Sequence, residues 1–180
     1  MEKKLFLGAN TPDGFVGFFG DVVEMYDLKK LYILKGGSGV GKSTFIRKFA
    51  ENFRSAAGKD FNVSWIYCSS DPKSLDGAIL ENLGIGIIDG TAPHMTDPKY
   101  PGVTDEIIDL GKCIVTEKLD VTREWLDKIY EKKRKHYQEV YKHLAAAREA
   151  HQELEKHYTA AVNFATLDKV FAEIIENHNT

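Results

Sequence analysis

Leu31-Tyr-Ile-Leu-Lys-Gly-Gly-Ser-Gly-Val-Gly-Lys-Ser-Thr44 joins an apolar run to a glycine-rich loop and then to a segment with helical spacing. Gly36, four intervening residues, Gly41, Lys42 and Ser43 satisfy the pattern of a phosphate-binding P-loop. On one side Tyr32, Ile33 and Leu34 read as a buried strand. On the other, Phe45, Ile46, Phe49 and Phe53 recur at helical spacing. This strand, loop and helix context predicts a P-loop NTPase-like α/β fold that binds a nucleoside triphosphate.

Each position has a physical reason. A phosphate chain needs several inward-pointing backbone N–H groups, and a glycine-rich turn lets the backbone wrap that tightly. The expected cradle is Gly36, Gly37, Ser38, Gly39, Val40, Gly41, Lys42, Ser43 and Thr44. A helix starting near Gly41 adds unpaired N–H groups and the positive end of its dipole beneath the phosphates. Lys42 is expected to reach the β and γ phosphates, and the Ser43 hydroxyl to ligate Mg²⁺. Thr44 either packs or contacts the α phosphate.

A nucleotide hydrolase also needs a carboxylate for the metal's hydration shell, usually at the end of an apolar strand. Asp89, closing Gly84-Ile-Gly-Ile-Ile-Asp89, is the first candidate and Asp71 the second. The alternative for Asp71 is to cap the turn it makes with Pro72. Gly90 stands where many P-loop hydrolases place a water-activating glutamate, so no general base is evident. Asp76, Thr91, His94 and Asp97 are left unplaced relative to the γ phosphate. His94 has no paired His or Cys at ligand spacing, which speaks against a metal role.

Working outward, Leu5, Phe6 and Leu7 suggest a leading strand, Thr11-Pro-Asp-Gly14 a turn, and Phe15 to Tyr26 a short helix. The helix after the loop is expected to end near Gly58. Phe61 to Cys68 reads as a second strand, Ser74 to Leu83 as either helix or strand because Gly77 and Gly84 interrupt it, and 84–89 as a third strand. Repeated strand and helix segments imply a mainly parallel sheet whose ligands lie beyond the C-terminal strand ends. Gly36, Asp71 and Asp89 are then expected to converge on that edge.

After Gly111 the chain contains neither glycine nor proline. That predicts a domain of residues 1–115 followed by a C-terminal helical arm or hairpin over 116–180, with one helix from about Lys118 to Val162 and another from Thr166 to Asn177 capped by Thr166. Tyr137, Val140, Leu144, Ala147, His151, Leu154, Tyr158, Ala161 and Ala165 alternate in steps of three and four, as a coiled-coil seam does. The seam either packs along its own domain or projects to a protein partner. Lys132-Lys-Arg-Lys135 spreads around more than one helix face and reads as solvated surface, with Glu131 and Lys135 spaced to pair.

The 180 residues carry a net charge of −3, which argues against a nucleic-acid partner. Cys68 and Cys113 are the only cysteines, without CxxC spacing, and fit free thiols in a reducing cytoplasm. No apolar run reaches membrane-spanning length, so no membrane partner is expected.

Beyond the loop, Gly8-Ala-Asn-Thr-Pro-Asp-Gly14, Cys68-Ser-Ser-Asp-Pro72, Ser74-Leu-Asp-Gly77, Asp89-Gly-Thr-Ala-Pro-His94 and Tyr100-Pro-Gly102 give nearly the whole chain a likeness. It resembles a family of poorly characterised bacterial P-loop ATPases built as two homologous halves in tandem. No second loop of this kind occurs in the chain. The resemblance therefore implies a first half, as a piece of a longer protein or a separate half-protein, that meets a second homologous half or forms a homodimer.

The expected activity is Mg²⁺-dependent hydrolysis of the ATP γ phosphate, slow or partner-activated, with Lys42 and Asp89 as the catalytic residues and the nucleotide state passed to the helical arm. A non-hydrolysing nucleotide-gated scaffold and a small-molecule or nucleotide kinase are the alternatives. The kinase lacks an arginine-rich lid, since the only arginines are Arg47, Arg54, Arg123, Arg134 and Arg148. ATP is preferred to GTP because no Asn-Lys-x-Asp motif occurs.

Overall fold

The apolar run after Lys30 forms β4 (Lys30–Lys35), whose side chains alternate between two cores in a computed structural model that describes residues 2–57 and 61–178. Leu31 and Ile33 point into one core and Leu34 into the other. Around β4 stand β1 (Glu2–Leu5), β5 (Val63–Tyr67), β6 (Leu75–Leu80), β7 (Ile85–Asp89) and β8 (Asp105–Asp109). The spatial order of this six-stranded sheet is β1-β5-β6-β7-β4-β8. β1 runs parallel to β5, and β4 runs parallel to both β7 and β8. Only β6 runs antiparallel to its neighbours.

Connection length explains that reversal. Parallel neighbours need a crossover of about a dozen residues or more, whereas β6 is joined to β5 and β7 through the short stretches 68–74 and 81–84. The ambiguous segment 74–83 is thus a strand plus a 3-10 turn at Glu81–Leu83. Gly77, which obscured the reading, sits where a Cβ would come within 2.9 Å of both Ile66 Cδ1 and the Ile87 carbonyl oxygen.

Helix α2 (Lys42–Ala57) covers one face of the sheet through Ile46 and Ala50, packed with Trp65, Leu75, Leu80 and Ile87. The other face is covered by Phe19 and the short helix α1 (Val22–Met25), against Ile33, Ile66, Ile79 and Ile88. Gly58, expected near the end of α2, lies outside the described residues.

Several expectations need correction. The leading strand occupies Glu2–Leu5 rather than 5–7. Phe15 does not begin a helix: β2 (Gly8–Thr11) and β3 (Gly14–Gly17) form an antiparallel hairpin, and helical structure begins at Phe19. Thr11 closes the hairpin turn, its hydroxyl donating to the Gly14 carbonyl at 2.7 Å and accepting from the Asp13 N–H at 3.2 Å. β8 is an edge strand with mostly exposed residues, so it lacks the apolar alternation that marks a strand in sequence.

The last third is helical, as α3 (Arg123–Ala161) and α4 (Phe164–His178). The Thr122 hydroxyl caps α3 by accepting from Trp125 N–H at 3.2 Å. Residues 116–118 form a separate 3-10 turn, so the long helix begins later than Lys118. The cap at α4 is Asn163, whose Oδ1 accepts from Thr166 N–H at 3.1 Å. Thr166 itself is already inside the helix. At 39 residues, α3 extends about 58 Å, and most of it is exposed. No described helix is long and apolar enough to cross a membrane.

Candidate functional site

The loop Gly36–Thr44 leaves the C-terminal end of β4 and turns directly into α2. Gly39 and Gly41 have φ of +83° and +92°, in the region that side-chain-bearing residues rarely adopt. Lys42 folds back over the loop, donating to the Gly36 and Gly37 carbonyls at 2.9 and 3.0 Å. Its Nζ lies 3.6 Å from Asp89 Oδ2 at the end of the adjacent strand β7, and both side chains are only 11% exposed. The Ser43 hydroxyl accepts from Leu75 N–H at 2.9 Å, which ties the start of α2 to β6. Val40 turns its side chain into the core, whereas Ser38, Thr44 and the loop glycines 39 and 41 line the open cavity.

Asp89 does not stand alone. Its Oδ1 accepts from the Thr91 N–H at 2.9 Å and the Thr91 hydroxyl at 2.5 Å. From the neighbouring strand β6, buried Asp76 faces His94, with 3.3 Å between Oδ2 and Nε2. The His94 ring lies 4.7 Å from the Phe19 ring. Asp76, Asp89 and His94 each present a ligand atom within 4.8 Å of the others. Burial pulls the His94 pKa down, but the Asp76 hydrogen bond and the charges of Asp76 and Asp89 outweigh it and hold it above its ordinary value.

The loop after β7 is held by Lys35, which donates to the Gly90 and Thr96 carbonyls at 2.9 and 2.7 Å and to Asp97 at 3.1 Å. That engagement keeps the Asp97 carboxylate on the outside, 91% exposed. Gly90 is packed so closely that a Cβ would lie 2.4 Å from Ile33 Cγ2. A glutamate therefore has no room directly after Asp89. Asp71 lines the same cavity, with its carboxylate accepting from Lys73 N–H at 3.0 Å in the turn that its own carbonyl closes with Ser74 N–H.

These groups surround a cavity of about 500 Å³ at the C-terminal strand edge, lined among others by Lys42, Ser43, Asp71, Asp76, Asp89 and His94. Sequence reasoning singled out Lys42, Ser43, Asp71 and Asp89 but left Asp76 and His94 without a position. Asp76 stands on β6 and His94 in the loop after β7, far apart in the chain, so no short spacing rule points to their pairing. The polar character of Asp76 within an otherwise apolar strand was the available signal.

Helix α3 forms a further wall. Tyr137 donates its hydroxyl to Ser70 at 3.1 Å, Tyr141 to Asn10 at 3.4 Å, and Arg148 pairs with Asp13 at 2.8 Å. These contacts lay the helix across the mouth of the loop, where Lys133 and Tyr137 line the cavity. The basic run 132–135 is thus divided: Lys135 pairs with Glu131 on the surface, while Lys133 and Arg134 face a groove beside the loop. No protein-family model, curated protein or solved structure matches this chain.

Proposed function

We propose that the chain is an ATP-binding P-loop protein that hydrolyses the γ phosphate in a Mg²⁺-dependent reaction and passes its nucleotide state to α3. The observation that carries this reading is Lys42, held by the Gly36 and Gly37 carbonyls and 3.6 Å from Asp89 inside one cavity. A triphosphate entering there offers Lys42 a stronger anionic partner than two neutral carbonyls. The amine then turns from the loop to the β and γ oxygens and neutralises charge as the bond to the leaving oxygen lengthens.

The side chains present fit Mg²⁺, a hard cation that takes oxygen ligands. Ser43 and Asp89 would hold it, with Asp76 beside them in the cluster that Asp76, Asp89 and His94 form. When bound, the ion would supply positive charge that neutralises the phosphate oxygens. The Asp71 carboxylate, engaged with Lys73 N–H, serves the turn. On the same wall, the His94 imidazole held by Asp76 is the group able to orient a water, in place of the missing glutamate.

Gly90, which leaves no room for a side chain, favours a second reading: a scaffold that binds ATP without turning it over. Both readings give the arm a role. Leu154, Tyr158, Phe164, Val170 and Phe171 are exposed apolar residues on α3 and α4, suited to a protein partner, a second copy or a homologous half. The free thiols of Cys68 and Cys113 suit a reducing cytoplasm.

Phosphate release from Mg²⁺·ATP, compared between wild type and Lys42→Ala over a range of protein concentrations, tests the proposal. Release that falls at least about a hundredfold in the variant, with helical content unchanged by circular dichroism, is the expected result. Equal ATP affinity in the two proteins would overturn the assignment. ATP binding that is lost in the variant, without release in either protein, would select the scaffold.

A further inference from the structure

Beside the phosphate cavity lies a groove of about 680 Å³ that shares Ser38, Thr91 to Pro93, Lys133 and Tyr137 with it but reaches none of Lys42, Ser43 and Asp89. One wall is the outer side of the loop at 36–38, and the other is a stripe of α3. Tyr130, Tyr137 and Tyr141 stand on that stripe at steps of seven and four, the spacing that places side chains along one helix face. The Ser70 and Asn10 contacts fix the phenol ends of Tyr137 and Tyr141, whose rings stand 6.1 Å apart and tilted by 41°.

Two cations of α3, Lys133 and Arg134, line the groove. Lys128, Lys135 and Lys142 are each in a salt bridge with a carboxylate three or four residues away. Among the described residues neither Lys133 nor Arg134 is in a salt bridge. Lys133 instead lies 6.0 Å over the Tyr137 ring and lines both the groove and the phosphate cavity. Aromatic faces joined to cations outside any described salt bridge, at the edge of a phosphate site, match a planar ring that carries an anionic end. A volume of this size suits a nucleotide-sized ligand.

We infer that the groove between the loop and α3 is a nucleobase subsite, in which a planar ring stacks among Tyr130, Tyr137 and Tyr141 while Lys133 and Arg134 meet the adjoining phosphate. This rests on the triphosphate reading of the neighbouring cavity, and it explains how the arm senses the ligand, because the stacking surface is the arm itself. The ring belongs either to the bound ATP or to a second nucleotide lying beyond its terminal phosphate.

Calorimetric titration of wild type, Tyr130→Ala and Tyr130→Phe with Mg²⁺·ATP, Mg²⁺·tripolyphosphate, and AMP in the presence of saturating tripolyphosphate tests the subsite. Tyr130 is 55% exposed, so its truncation leaves the fold intact. If the ring is that of ATP, ATP binds about tenfold or more tightly than tripolyphosphate. Tyr130→Ala then removes the difference without moving tripolyphosphate, and Tyr130→Phe keeps it. If the ring is that of a second nucleotide, ATP and tripolyphosphate bind alike, AMP binds alongside tripolyphosphate, and Tyr130→Ala weakens AMP alone by about tenfold. Equal binding of ATP and tripolyphosphate with no AMP binding overturns the subsite while the phosphate cavity stands, as does base-dependent binding that Tyr130→Ala leaves unchanged. Failure of tripolyphosphate and ATP alike to bind overturns the triphosphate reading and the subsite with it.

Discussion

The sheet edge and the helical arm treat charge in opposite ways. At the edge, Lys42, Asp76, Asp89 and His94 are largely withdrawn from water and paired, Lys42 with Asp89 and Asp76 with His94. On α3 and α4 the charges are solvated, and Trp125, Leu154, Phe164 and Phe171 remain half or more exposed. Within the described chain Tyr137, Tyr141 and Arg148 attach the arm to the body by polar contacts at or near the surface, with Leu144 and Ala145 half-buried on the same stretch of α3. Such contacts are each worth about 1 kcal/mol or less. Polar chemistry is therefore preorganised at the edge, whereas α3 is held largely by contacts at or near the surface.

The most severe challenge to this comparison is a pair of truncations. Ile33→Ala, at a site with 0% exposure, is expected to lower unfolding stability by about 2–5 kcal/mol. Phe171→Ala, at a site with 67% exposure, is expected to change it by less than about 0.5 kcal/mol. Denaturant titration of both at several protein concentrations checks the contrast. A large, concentration-dependent loss in Phe171→Ala would mean that α4 is buried in an assembly and that the two regions are more alike than they look.

A smaller effect sharpens the view of the edge. Because the folded-state pKa of His94 is raised, its interaction with Asp76 and Asp89 adds stability that is fully present below the unfolded value of about 6.5. That stability is lost as pH rises through the raised folded value. The thermal midpoint in chelator-treated buffer is expected to fall across that window, and Asp76→Asn to flatten the fall. A wild-type profile with no change there would show that the pair is not coupled to folding.

The smallest expected effect concerns the attachment of the arm. Arg148→Ala removes the pairing to Asp13 and is expected to cost at most about 1 kcal/mol globally. Hydrogen exchange in the 130–148 part of α3 is nevertheless expected to rise more than in β4, since local opening follows the weakest contacts. Equal protection in the two proteins would show that the remaining contacts hold the helix without the Asp13 pairing.

Much of the local architecture was legible in the sequence. Residues 31–44 announce a strand, a tight glycine loop and a helix because each depends on near-neighbour patterns: apolar continuity, left-handed backbone at Gly39 and Gly41, and helical spacing from Phe45 onward. Asp89 at a strand end and the long glycine-free, proline-free helix are legible for the same reason. The hairpin at 8–17 and strand β8 were not, because exposed strands carry little apolar alternation and the Thr11 turn acts over only a few residues.

What tertiary structure decided is who meets whom. Asp76 reaches His94 and Asp89 because β6 reverses direction between β5 and β7, a consequence of short connections on both sides. Gly90 is a glycine because Ile33 of the neighbouring strand occupies the space a side chain would need. Lys133 and Tyr137 stand over the loop because Ser70, Asn10 and Asp13 anchor a helix that sequence alone leaves free to lie anywhere. Local propensity is written along the chain, whereas the convergence of distant side chains depends on strand order and docking, which single-residue patterns do not encode.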